Sequence, residues 1–145
     1  MKTYAKENHL GIKGWVWGGN YKLERYLYLL HRLTALYLLL FVIYHLIVTT
    51  FFRIQSQSLW DAVLAAQAVP GFKVVEYLAI LAFIFHALNG IRLILQGLGI
   101  TLGKPTRPIF PFEDSIRKNR GLTYTILALV GIIAIIFLAD FILGG

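Results

Sequence analysis

VVEYLAILAFIFHALNGIRLILQGL, residues Val74 to Leu98, decides the fold of this chain. Its apolar residues run on without period-two alternation, and the run exceeds the roughly 20 residues a helix needs to cross a bilayer. Two runs of the same kind flank it, from about Tyr26 to Phe52 and from about Leu122 to Leu143. A bilayer core admits only helices or closed barrels, and long uniform runs select helices. Composition agrees, with 58% of residues hydrophobic and 14% charged. The expected fold is therefore an all-α membrane protein, one domain over residues 1–145. Its three transmembrane helices run up-down-up. Three spans on short connections make a thin bundle, so a larger helical bundle completed by a partner subunit is expected.

The net charge of +7 follows the connections. Lys2, Lys6, Lys13, Lys22, Arg25 and Arg32 precede or begin the first span, against Glu7 and Glu24. The second connection, Gly99 to Gly121, carries Lys104, Arg107, Arg117, Lys118 and Arg120 against Glu113 and Asp114. In the first connection and its flanks, Arg53 and Lys73 cancel Asp61 and Glu76. Positive segments stay inside, so the N-terminus is expected in the cytoplasm and the C-terminus outside. That pattern is one of membrane topology and not of nucleic-acid binding. The N-terminus has no secretory-signal or transit-peptide pattern. With no cysteine, disulfides, cysteine-ligated iron–sulfur clusters and thioether-attached haem are excluded.

Between the spans, Met1 to Asn20 is expected to form an irregular or interfacial lead-in carrying Trp15 and Trp17. In the first connection, Ser58 or Asp61 is placed to cap a short surface helix that Pro70-Gly71 ends. Pro105, Pro108 and Pro111 make the second connection an extended loop.

Within the central run, His86 is an ionisable side chain at membrane depth, a position that is costly and generally functional. Neutral imidazole is a common haem ligand. Gly90, one turn on, leaves room for a flat group, and Arg92 offers a cation to a carboxylate. Ligand, gap and cation are what a buried haem with propionates needs. Of the other histidines, His9 lies in the polar lead-in and has no expected function. His31, with Arg32, begins the apolar part of the first span. The pair either snorkels to the interface or meets a haem propionate or a quinone. His45 lies 14 residues on, about 21 Å deeper along a helix, and within about 40° of the His31 direction. It is either bonded to a neighbouring helix or a haem ligand. If Arg92 is level with Arg32, His86 and His45 differ in depth by about 12 Å. They then belong to two haem levels, each needing a second histidine from another chain.

Phe85-His86-Ala87-Leu88-Asn89-Gly90-Ile91-Arg92, with His31-Arg32-Leu33-Thr34 at the head of the first span, resembles the cytochrome b membrane-anchor subunit of succinate dehydrogenase. The resemblance covers nearly the whole chain. It departs from the family pattern at Tyr28, Ala35 and Gln96-Gly97, where members often have Ser, Gly and Asp. What the resemblance implies is a subunit of an oxidoreductase of the tricarboxylic acid cycle that does not itself bind succinate. It implies His86 as axial ligand of one haem b and His45 as ligand of a second, outer haem iron. It also implies His31, Arg32 and Arg92 near propionates, and a quinone near His31 and Arg32, where Tyr28 could donate a hydrogen bond. The implied partners are a second membrane-anchor subunit, an iron–sulfur subunit and a flavoprotein, and the implied site is a prokaryotic cell membrane. A quinol:fumarate reductase anchor and a haem-free structural anchor are the alternatives.

Overall fold

The computed structural model describes residues 11–17, 22–104, 115–118 and 120–143. All regular structure among them is helical: α1 (Gly11–Val16), α2 (Lys22–Leu46), α3 (Arg53–Gln55), α4 (Gln57–Gln67), α5 (Pro70–Gly97), α6 (Ser115–Lys118) and α7 (Gly121–Leu143). A π-helical segment, Ile47–Phe52, joins α2 to α3, so one rod runs over Leu23–Gln55. This rod, α5 and α7 are each long and apolar enough to cross a membrane. Within the π-helical segment the Thr49 hydroxyl donates to His45 O at 2.7 Å.

Local chemistry sets the helix ends. Ser56 is extended (φ −165°, ψ 154°), and its hydroxyl accepts from the Leu59 amide at 3.2 Å, capping α4. The expected caps, Ser58 and Asp61, are both inside the helix. The Asp61 carboxylate accepts from Gln57 instead, at 2.9 Å. The extended backbone decides the matter, because an N-cap residue must have non-helical dihedrals. Pro70 opens α5 at a position where its missing amide costs nothing. At the other end Gly99 takes φ +76°, which is cheap only for glycine. The lead-in is also not wholly irregular, since α1 occupies six of its residues. The proline-rich part of the second connection and His9 lie outside the described residues.

Helix α5 is the common neighbour of α2 and α7. Its buried residues, Ala79, Ala82, Phe85, Asn89 and Arg92, recur at three- and four-residue intervals and form one stripe. Small alanines let the helices approach closely. Tyrosine hydroxyls find backbone carbonyls across the helix pairs, Tyr37 to Val75 at 2.7 Å and Tyr77 to Ala134 at 3.0 Å. The Gln67 amide donates to Tyr44 Oη at 3.0 Å and ties α4 to α2. Within the most apolar window of each span, 28% of α5 is buried but only 6% of each neighbour. The outer faces of α2 and α7 therefore meet lipid or another chain.

Removing the cap tests this account of α4. Ser56→Ala should cost about 1 kcal/mol of local helix stability, read as faster hydrogen exchange at the Leu59 amide. Unchanged exchange there would reassign the cap.

Candidate functional site

His86, Asn89 and Arg92 follow one another at three-residue spacing on α5, so they share a face. At its deeper end the His86 ring lies parallel to that of His31 on α2, with centroids 4.0 Å apart and 4° between planes. His86 Nδ1 is 3.2 Å from the His31 carbonyl oxygen and 3.3 Å from Thr34 Oγ1. Its Nε2 makes no hydrogen bond among the described residues. A Cβ built on Gly90 would meet His31 Cε1 at 3.7 Å. The flat group beside Gly90 in this structure is thus the imidazole of His31.

At the other end of the stripe Arg92 is 3% exposed. Its Nη1 and Nη2 each lie 3.2 Å from Glu24 Oε2 on α2, and Nη1 donates to Thr123 Oγ1 on α7 at 2.7 Å. Arg120 Nε stands 3.6 Å from the other Glu24 oxygen. Two guanidinium groups thus share one carboxylate. Among the described residues, buried donors remain without acceptors at Asn89 Nδ2, Arg92 Nε and Arg120 Nη2.

This pairing changes the depth argument. Arg92 is level with Glu24 and not with Arg32, because a buried guanidinium goes to the carboxylate within its reach. His86 is level with His31 and Thr34. His45 lies 11 residues beyond Thr34, so the separation grows to about 16 Å. The structure brings His31, Thr34, His86 and Gly90 together. It leaves His45 exposed, its ring 6.2 Å from that of Phe41, and no bond to its imidazole occurs among the described residues. His31 and His45 therefore do not share one environment. Arg32 lies over the exposed Tyr28 ring, 4.9 Å from the centroid.

An apolar cavity of about 410 Å³ opens between α2, α5 and α7, beside Phe85. Its surface is apolar, formed by Leu33, Leu81, Ala82 and Ala134 together with the carbon atoms of Thr34 and Tyr37.

Sequence reasoning missed Glu24, Asn89, Arg120 and Thr123 as members of the site. The three-residue spacing of His86, Asn89 and Arg92 was a usable signal for Asn89. An acid in the first turn of a membrane span was one for Glu24.

Comparison with known proteins bears on this geometry. A family model described as succinate dehydrogenase/fumarate reductase transmembrane subunit matches residues 16–139. The succinate dehydrogenase 2 membrane subunit SdhC of Mycobacterium tuberculosis (strain ATCC 25618 / H37Rv) is 37% identical over 65 residues, which are 45% of this chain and 47% of that relative. The match therefore spans just under half of the relative's length. No solved structure matches.

Glu24→Ala should leave Arg92 and Arg120 without their carboxylate. With the Glu24 side chain 20% exposed, the loss falls between exposed and buried pairs, about 2–4 kcal/mol, seen as a lower unfolding temperature in detergent. Adding Arg92→Met should recover part of it. Strictly additive losses would show that the two groups do not couple.

Proposed function

Because this chain belongs to the succinate dehydrogenase/fumarate reductase transmembrane subunit family, we propose that it is the haem b-binding anchor of a succinate:quinone oxidoreductase. It holds the complex in the prokaryotic cell membrane and lies on the electron path from an iron–sulfur subunit to quinone. The observation that carries the reading is His86. Its imidazole is half-buried within a membrane span, hydrogen-bonded on its Nδ1 side and, among the described residues, unbonded at Nε2. A metal-ligating histidine has this arrangement.

The surroundings fit a haem. Arg92 and Arg120 outweigh Glu24 by one charge, and the unpartnered donors of Asn89 and Arg92 suit the carboxylates of such a group. A b-type haem supplies one-electron storage and transfer when bound. His86 would ligate its iron, Arg92 would keep the local potential positive, and apolar α5 residues would exclude water. His31 and His86 are stacked face to face. Rings so arranged would not hold one iron between them, so any further protein ligand would have to come from another chain, for which we propose a second anchor subunit. His45, exposed about 16 Å away along α2, would ligate an outer haem. Tyr28, His31 and Arg32 form the quinone contact.

The basic N-terminus and second connection face the cytoplasm and dock the iron–sulfur subunit and flavoprotein, with the C-terminus outside. Arg117-Lys118-Asn119-Arg120 belongs to that docking surface. The family description covers both directions of reaction. Assays with the native quinone separate succinate oxidation from fumarate reduction. A haem-free anchor has one observation in its favour, the pairing of Arg92 with Glu24 within the chain.

A visible spectrum of the purified complex decides between these readings. His86→Ala should remove the inner haem from the reduced-minus-oxidised spectrum and leave the outer one. His45→Ala should do the reverse. A wild-type complex without b-type absorption would establish the haem-free anchor, and an unchanged spectrum in His86→Ala would move the ligand elsewhere.

A further inference from the structure

We propose that Thr34, acting together with the His31 backbone carbonyl, is a positioning residue that sets the tautomer and ring plane of His86, so that Nε2 is the nitrogen presented to iron. The inference rests on the reading of His86 as a haem ligand.

It starts from the hydroxyl of Thr34, a residue 9% exposed on the face of α2 toward α5. The hydroxyl has one proton and two lone pairs. Its oxygen lies 2.9 Å from the Leu30 carbonyl oxygen and 3.0 Å from that of His31. Carbonyls only accept, so the proton of Thr34 points to them. Toward His86 Nδ1, 3.3 Å away, Thr34 can then only accept. The second neighbour of Nδ1, the His31 carbonyl at 3.2 Å, can only accept as well. Both contacts require the proton on Nδ1 and leave the Nε2 lone pair unprotonated. In a histidine ligand, the bond made by one ring nitrogen sets which nitrogen takes the metal.

The arrangement is economical in sequence. One threonine, three residues after His31, satisfies its hydroxyl on its own helix and turns its lone pairs toward α5. The His31 backbone supplies the other acceptor, so the His31 side chain is not needed for it. Two acceptors from one rigid helix also restrict rotation of the ring.

The test uses the intact complex with Thr34→Val, Thr34→Ala and Thr34→Ser. A hydrogen bond at Nδ1 makes the imidazole a stronger donor to ferric iron. Val and Ala should therefore shift the midpoint potential of the inner haem to more positive values and change its low-spin EPR g-values. Ser, which keeps the hydroxyl, should match wild type in both. Unchanged potential and g-values in Val and Ala would overturn the proposal. So would a Ser variant shifted as far as Val, since packing and not the hydroxyl would then be responsible. Failure of the ligand assignment shows separately, as a His86→Ala complex that keeps its inner-haem spectrum.

Discussion

A guanidinium inside an apolar bundle has to be paired, and the rest of this structure depends on how Arg92 meets that demand. Its partners come from two other helices, Glu24 on α2 and Thr123 on α7. One buried charge thus specifies which end of α2 lies against which end of α5, and where α7 begins. Breaking such a pair leaves a charge uncompensated in low dielectric. Once α2 and α5 are antiparallel at that level, His86 comes to lie beside His31 and Thr34. Ala79 and Ala82 then allow close approach along the deeper half.

The class of fold was legible in the sequence because three apolar runs leave a bilayer-spanning chain few alternatives. His86 was legible for a related reason, as an ionisable group where the surroundings penalise one. The partner of Arg92 was not. Glu24 is 68 residues away in the chain, and depth counted along a helix gives the level of a backbone, not the reach of a long side chain. The occupant of the space at Gly90 was also hidden, because a glycine announces a gap without saying what enters it. Ser56 was passed over as a cap for a smaller reason. Three polar side chains stand in a row there, and only the backbone dihedrals single one out.

Polar chemistry is concentrated on α5 and its two contact faces, while the outward faces of α2 and α7 are almost wholly apolar and uncovered. This division suits a subunit of the transmembrane family to which the chain belongs. It also agrees with the proposed sharing of each haem, since His45 lies exposed on the outer face. The donors left over at Asn89, Arg92 and Arg120 stand at the opposite end from His45. The proposed inner and outer sites would thus differ in electrostatic surroundings, one beside paired cations and the other beside aromatic rings.

The π-helical segment Ile47–Phe52 has a geometric effect on everything beyond it. Bonding to the fifth residue instead of the fourth means that each residue advances less around the axis. Angles reckoned in even steps from His31 hold as far as His45 and fail after it. The first span is in effect two screws of unequal pitch joined just past His45. The surface helix α4 hangs from the second screw, with Trp60 6.0 Å from the Arg53 guanidinium. Gaining or losing one residue in that segment would swivel α4 about the axis of the first span, while His31, Thr34 and His86 kept their places.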